Sequence, residues 1–228
     1  MIKNISNLGD AALYCDFGNE VNKDINTQVI KYFKGIKKEN IPGVNNLTPS
    51  YNKLIISFDL KKTNYKNLKN LIENLNIDTY EDLKSEKKEI PICCDESFAL
   101  DIKDLEKNLK IDREKIYENF LKKNFFCYMT GFIAGMPFLG DLDINMRVKR
   151  LETPRVKVPK GSVGITEQFA NIYTFESPGG WNIIGNTPKK IFDGSKEKDP
   201  NFINPGDTVI FNKISIDEYQ KLQWVKII

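Results

Sequence analysis

Arginine is scarce in this chain, and its distribution points to a place where anion chemistry could occur. Of the 34 basic residues only four are arginine, and three of these, Arg147, Arg150 and Arg155, fall within nine residues. A guanidinium group can hold a carboxylate or a phosphate through two parallel hydrogen bonds, which an ammonium group cannot do. We therefore predict a catalytic role for Arg155 on an acidic substrate group and a substrate-binding role for Arg150. The alternative is a solvated loop in which these arginines have no special role.

A second set of groups suited to a site lies in the segment 176–181, which reads ESPGGW. Glu176 could act in acid–base catalysis or hold a cation, and the indole of Trp181 could form an apolar wall beside exposed backbone amides. We assign a catalytic role to Glu176 and substrate-binding roles to five neighbours: Tyr173, Ser177, Gly179, Gly180 and Trp181. Glu176 could instead satisfy the amides of the turn, and Trp181 could belong to the core.

Ser162 follows a Pro-Lys-Gly turn and leads into an apolar segment. Its hydroxyl, next to a glycine that allows close approach of the backbone, could position a substrate oxygen. The chain has no histidine to act as its base, so we expect Ser162 to bind substrate rather than attack it. The hydroxyl could equally bond its own backbone within the turn.

The composition excludes several classes of function. The absence of histidine removes Ser-His-Asp triads, Cys-His dyads and imidazole bases. The four cysteines (Cys15, Cys93, Cys94 and Cys127) show no CxxC spacing, so we expect reduced, buried thiols and no metal site. A net charge of +3 gives no case for nucleic acid or an anionic membrane as a partner. The N-terminus has no apolar signal segment, and glycine and proline interrupt the apolar run 125–142, so we expect a cytoplasmic protein without a membrane span.

The first third of the sequence predicts alternating strands and helices. Apolar and polar residues alternate over 11–17 and a short apolar run covers 54–58, which indicates two strands. Apolar residues recur at helical spacing over 25–36 and 68–75, and Thr63 or Asn64 could cap the second helix. We predict an α+β domain over residues 1–86, with the charged stretch 81–89 as a linker.

Beyond residue 90 the pattern changes to many short apolar runs separated by turns. Two short helices are predicted near 102–109 and 113–121, and the later turns lie at 153–154, 159–161, 177–180 and 204–207. Proline followed by glycine is typical of type II turns. Many short strands separated in this way predict a mainly-β domain that closes into a barrel over residues 87–228.

Three motifs between residues 131 and 188 resemble the signature of a known bacterial family. They read GFIAGMPFLGDL, TPRVKVPKGSVGI and NIYTFESPGGWNIIGNTP. The KipI family, also known as the 5-oxoprolinase B-subunit family (PxpB) and as the allophanate hydrolase subunit 1 type, typically reads GFxPGFPYL, TPRxxVPxGSV, IYPxESPGGW and GRTP. Arg155 falls in the TPR motif, and the resemblance adds Phe132 and Thr187 to the expected substrate-binding residues.

Membership of this family would imply a small α+β domain followed by a cyclophilin-like closed barrel. It would also imply one component of a complex that opens 5-oxoproline to glutamate with ATP, together with a homologous KipA-type subunit and a LamB/YcsF-type subunit. Because the sequence has no GxxxxGK(S/T) loop, ATP would bind at a site shared with a partner, and this chain alone would be inactive. The alternatives are a KipI-like inhibitor of a sensor histidine kinase, or a carboxyltransferase or allophanate hydrolase-type subunit of urea metabolism.

Several positions depart from the family pattern, and we expect the four polar groups that are lost there to lie in one pocket. Ala134 and Met136 stand where the family has proline and phenylalanine, Phe138 replaces its tyrosine, and Asn186 replaces the arginine of GRTP. A family histidine aligns near Phe120, and a family glutamine is either replaced by Phe169 or shifted to Gln168. These replacements are compatible either with a lost activity or with a changed substrate.

Overall fold

The structure, a computed structural model, describes residues 1–77 and 85–224, and it divides the chain into two compact units. These units are Met1–Lys84 and Ser85–Ile228. Residues 81–84 of the expected linker lie outside the described residues. The linker prediction is wrong at its other end, because Lys87–Cys93 form a strand of the second unit.

The first unit is a four-stranded antiparallel sheet with two helices. In chain order these elements are β1 (Asn4–Asn7), β2 (Ala12–Asp16), α1 (Lys23–Glu39), β3 (Val44–Pro49), β4 (Lys53–Phe58) and α2 (Tyr65–Glu73). The spatial strand order is β1-β2-β4-β3. Every second residue of β2 and β4 is buried, as a sheet with one covered face requires. Helix α2 begins after Asn64, whose side-chain oxygen accepts a hydrogen bond from the Asn67 amide at 3.0 Å.

The second unit contains a closed barrel of seven strands, which confirms the barrel prediction. The barrel strands are β5 (Lys87–Cys93), β6 (Phe125–Thr130), β7 (Pro137–Gly140), β9 (Ser162–Thr166), β10 (Phe169–Ile172), β12 (Asn182–Asn186) and β13 (Thr208–Ile214). Their order around the barrel is β10-β7-β6-β13-β5-β12-β9. Strands β5 and β13 pair in parallel, and the other neighbours are antiparallel.

Other elements of this unit surround the barrel. They are the ribbon of β8 (Arg155–Val158) and β11 (Ser177–Gly179), the helices α3 (Ile102–Leu109), α4 (Arg113–Leu121) and α5 (Ile216–Trp224), and a short 3₁₀ helix at Ile144–Met146. In residues 1–77 and 85–224, no helix has both the length and the apolar character that a membrane crossing needs.

Two apolar layers hold the second unit together, one inside the barrel and one outside it. Because successive side chains of a strand point to opposite faces, β10 sends Ala170 and Ile172 to the interior and Phe169 to the outside. The outer layer contains Met136, Val158, Tyr173, Trp181 and Ile183. The segment 173–181, which carries most of the predicted site, therefore lies against the outer wall of the barrel.

Candidate functional site

Arg155, the first residue of β8, forms an ion pair with a buried carboxylate. Its two terminal nitrogens donate to the two carboxylate oxygens of Asp101, with 3.0 Å between Nη1 and Oδ2. The Asp101 side chain is only 2 % exposed, and the Arg155 side chain is 28 % exposed. The bidentate face of the guanidinium is thus occupied by the protein's own carboxylate. This geometry favours a role for Arg155 in positioning β8, and its catalytic role stays a prediction.

Asp101 joins three elements of the second unit at one point. Its Oδ2 accepts the Ile183 amide of β12 at 2.6 Å, and its own amide donates to the Ile183 carbonyl at 3.0 Å. Its carbonyl accepts the Leu105 amide of α3 at 2.9 Å. Sequence reasoning missed this residue because an aspartate before a helix resembles an N-cap, but the Asp101 side chain makes no cap hydrogen bond.

The two glycines of ESPGGW have different neighbours. A Cβ atom on Gly179 would lie 2.8 Å from two carbons of the Tyr173 ring, so a side chain at this position would collide with that ring. A Cβ atom on Gly180 would lie 3.5 Å from the Nε atom of Arg150, which is an ordinary contact distance. Tyr173 is buried, and burial raises the pKa of its hydroxyl. Close packing against Tyr173 therefore explains the first glycine, whereas the second lies beside an exposed arginine.

Four other predicted residues differ in their surroundings. The carboxylate of Glu176 is 57 % exposed and pairs with the Lys157 ammonium at 3.1 Å. Phe132 is exposed, while Trp181 is 9 % exposed and packs edge-on against Phe138 of the outer layer. The Ser177 hydroxyl is buried, and no hydrogen-bond partner for it lies among the described residues. The substrate and catalytic roles of these residues stay predictions, and the packing of Trp181 favours the core alternative.

Tyr173 and Thr187 do meet at a cavity, which has a volume of about 380 Å³. Its walls come from the turn before β9, from residues 173–174, from residues 187–191 after β12, and from α5. We call this cavity the lysine pocket, because its lining includes three lysines and, among the described residues, no acidic residue. The lining residues used below are Lys160, Gly161, Thr187, Lys189, Lys190 and Tyr219. Ligand pockets generally measure about 300–1,000 Å³, so the lysine pocket can hold a small molecule.

The walls of the lysine pocket are fixed to one another by backbone hydrogen bonds. The Gly161 amide donates to the Tyr173 carbonyl at 2.7 Å, and the Thr187 amide donates to the Gly161 carbonyl at 2.8 Å. Gly161 has a φ of +84°, and a Cβ atom there would lie 2.5 Å from Oδ1 of Asn186. Ser162 is buried behind this turn and is not part of the lining, but its carbonyl accepts the Tyr173 amide at 2.9 Å.

Asn186 connects the pocket turn to the last helix. Its Nδ2 donates to the Lys160 carbonyl at 3.0 Å, and its Oδ1 accepts the Tyr219 hydroxyl of α5 at 2.8 Å. The Gln223 side chain then donates to the Tyr219 hydroxyl oxygen at 3.0 Å. Asn186 stands where the resembling family has arginine, so in this chain a neutral side chain fastens α5 as one wall of the pocket.

The expectation that the four lost polar groups lie in one pocket is wrong. The ring of Phe120 is fully buried, packed against Phe125 and Phe211 in the interior layer. Phe138 and Phe169 are partly buried and pack against the outer layer. Only Asn186 and, through its carbonyl, Ala134 are near the lysine pocket, where the Ala134 carbonyl accepts a hydrogen bond from the pocket residue Thr174 at 2.7 Å. Helix α4 turns position 120 inward, which a linear motif does not reveal.

The described residues contain no group of three or more cysteine, aspartate and glutamate side chains arranged to hold a metal ion. All four cysteines are free, and three of them are buried. Burial raises the pKa of the Cys94 thiol to about 12, which disfavours its nucleophilic thiolate form.

Comparison with known proteins shows the family of this chain. A family model described as "Carboxyltransferase domain, subdomain C and D" matches residues 3–203. The chain belongs to this family. It is 30 % identical over 228 aligned residues to a Bacillus subtilis protein named as the B subunit of 5-oxoprolinase, and the match covers 94 % of each chain. A Haemophilus influenzae protein of the same name is 31 % identical, with 91 % of this chain and 96 % of that protein covered.

Larger proteins share the same region. The crystal structure of TTHA0988 has a TM-score of 0.81 at 26 % identity, and the match covers 90 % of this chain but 40 % of that one. The urea amidolyase of Saccharomyces cerevisiae is 22 % identical over 94 % of this chain, which corresponds to 13 % of the yeast protein. The two units described above therefore resemble a part of longer chains as well as whole proteins of similar length.

Proposed function

We propose that the protein is the B subunit of an ATP-dependent 5-oxoprolinase, which opens the lactam of 5-oxoproline to give L-glutamate. The observation that carries this proposal is the similarity to two bacterial proteins named as 5-oxoprolinase B subunits over more than nine tenths of this chain. The lysine-lined pocket supports it, because the substrate carries a carboxylate.

The chemistry explains why a partner is expected. A lactam carbonyl is a poor electrophile, and transfer of the γ-phosphoryl group of ATP to its oxygen would release ADP and provide a good leaving group. Water would then add to the carbon, and cleavage of the C–N bond would release the amine and leave an acyl phosphate. A second water would hydrolyse the acyl phosphate to the carboxylate and inorganic phosphate. Positive groups and N–H donors stabilise the charge that develops. This sequence lacks both histidine and a GxxxxGK(S/T) loop, so we expect partners to supply a base and part of the ATP site.

We propose two partners, a homologous subunit of the KipA type and a subunit of the LamB/YcsF type. The test is ATP-dependent release of glutamate from 5-oxoproline by this chain alone, by the three proteins together, and by the two partners without it. We expect turnover only in the complete mixture. Turnover by this chain alone, or equal turnover without it, would contradict the proposal.

A second function is a carboxyltransferase module of urea metabolism. The family description and the similarity to yeast urea amidolyase favour it. The sequence has no Met-Lys-Met biotin-attachment site, so biotin would come from another chain. Urea-dependent ATP consumption in the presence of a biotin-carrying partner, with no glutamate released from 5-oxoproline, would select this function. A kinase inhibitor of the KipI type would instead lower the autophosphorylation of a sensor histidine kinase.

A further inference from the structure

Lys160, like Lys189, is a pocket lysine that has no carboxylate in ion-pair contact among the described residues. In the part of the chain that the structure describes, no carboxylate lies within 4 Å of its ammonium group. The nearest aromatic contact is the Phe175 ring, whose centroid is 5.9 Å away. Lys190 differs, since it pairs with Asp193 at 2.7 Å, and the Lys189 ammonium lies 3.9 Å from the centre of the Phe202 ring.

The surroundings add further positive charge to this pocket. Burial lowers the pKa of Lys189, and the nearby Lys88 lowers it further against a smaller opposite effect of Glu89, so another cation is disfavoured here. A cleft lined by one sign of charge concentrates ligands of the opposite sign. The charge distribution therefore favours an anionic ligand.

Thr187 provides a neutral donor next to these charges. Its Oγ1 accepts the Lys189 amide at 3.2 Å, and among the described residues no acceptor takes its own hydroxyl proton. The side chain is buried, and its backbone amide is fixed to Gly161. A buried hydroxyl whose proton has no partner is suited to donate to a ligand oxygen, because an unused donor is costly to bury.

We propose that the lysine pocket binds a small molecule through an oxyanion group, with Lys160 as the charged partner and Thr187 as a neutral donor. Asn186 is a positioning residue, since it holds the Lys160 carbonyl and the wall formed by α5. The oxyanion can be the carboxylate of a small acid or a phosphate. The use of 5-oxoproline as a probe rests on the proposed function, whereas the use of inorganic phosphate does not.

The test is an NMR titration of the ¹⁵N-labelled full chain with three probes. These are inorganic phosphate, 5-oxoproline, and pyrrolidin-2-one, which has the same lactam ring without the carboxylate. Phosphate or 5-oxoproline should shift the amide signals of Gly161 and Thr187, and pyrrolidin-2-one should not. Lys160→Gln should weaken binding about tenfold, the effect of losing one charge-assisted hydrogen bond in a solvent-accessible site.

Two further variants make the assignment specific. Thr187→Val should weaken binding about threefold to tenfold, as expected for one neutral hydrogen bond. Lys157→Gln removes the same charge from an exposed lysine outside the pocket lining and should change the affinity less than about twofold. Unchanged spectra away from the pocket show that each variant folds.

Each outcome decides between the two proposals. If phosphate binds, 5-oxoproline does not, and Lys160→Gln loses the binding of phosphate, the oxyanion pocket is supported. The same result counts against 5-oxoproline as the substrate of this site. If the complete mixture of the three proteins turns over 5-oxoproline equally well with Lys160→Gln, the proposed function stands and the pocket is not its substrate site. The oxyanion proposal is overturned if neither anion shifts Gly161 and Thr187, if pyrrolidin-2-one binds as well as 5-oxoproline, or if Lys160→Gln binds as well as the unaltered chain.

Discussion

Replacement of Arg155 by methionine should destabilise the second unit by about 3 kcal/mol. Its guanidinium donates two hydrogen bonds to Asp101, whose side chain is almost fully buried. Removal of one member of a buried ion pair typically costs about 3–5 kcal/mol, because the other charge stays buried without compensation. The lower end of this range applies because Arg155 is partly exposed and because the Ile183 amide still donates to Asp101. Arg155→Lys keeps the positive charge but cannot donate two parallel hydrogen bonds to Asp101. We therefore expect the free energy of unfolding to fall by about 1.5 kcal/mol.

Urea unfolding followed by tryptophan fluorescence can measure these losses, since both tryptophans of the sequence, Trp181 and Trp224, belong to the second unit. The double variant Asp101→Asn with Arg155→Met leaves no buried ion. Its loss of stability should therefore be smaller, by about 1–3 kcal/mol, than the sum of the losses measured for the two single variants. The control is Lys157→Met, which breaks the exposed pair with Glu176 and should change stability by less than about 0.5 kcal/mol. The reasoning is refuted if Arg155→Met unfolds at the same urea concentration as the unaltered chain. Loss of substrate affinity at unchanged stability would then favour the catalytic role that the sequence predicted.

Two more predictions concern buried contacts. Burial raises the pKa of the Cys15 thiol to about 12, so above about pH 8.5 the unfolded chain releases this proton while the folded chain keeps it. The stability of the first unit should therefore fall by about 1.4 kcal/mol per pH unit from pH 8.5 to 10, and Cys15→Ala should remove this slope in urea unfolding followed by far-UV circular dichroism. Gly179→Ala should cost about 1–3 kcal/mol because its Cβ atom would meet the Tyr173 ring. Gly180→Ala is the matched control, and equal shifts in the urea midpoint for the two variants would contradict this account.

Elements with a clear local pattern were predicted correctly from the sequence. The helices expected near 102–109 and 113–121 are α3 and α4, and the alternating segment near the N-terminus is β2. Strand β3 was missed because its sequence, VNNLTP, has no apolar alternation and its order comes from backbone pairing with β4. Helix α5 was missed because its buried anchor, Tyr219, is held by a partner 33 residues away in sequence.

The site depends on pairings between distant parts of the chain, so the sequence predicted its motifs but not its arrangement. Barrel pairing places Asn186 opposite Ser162 on neighbouring strands, which brings the GSV and GNTP motifs to one cavity. The same pairing leaves the Ser162 side chain behind the cavity and makes Lys160 a lining residue. A lysine in a chain with thirty of them gives no compositional signal.

Three of the four arginines bind other segments of this chain. Arg155 holds Asp101, Arg113 holds Glu96 and Glu106, and Arg147 donates from Nε to the Leu142 carbonyl at 3.1 Å. These guanidinium groups fasten segments of the chain to one another, a task for which the planar fork is better suited than an ammonium group. The pocket instead relies on lysine, which interacts as a point charge and does not require a planar, two-oxygen partner. A site of this kind should accept carboxylate and phosphate alike. The choice between a carboxylic acid and a phosphate should then depend on contacts of the ligand with Thr187 and α5.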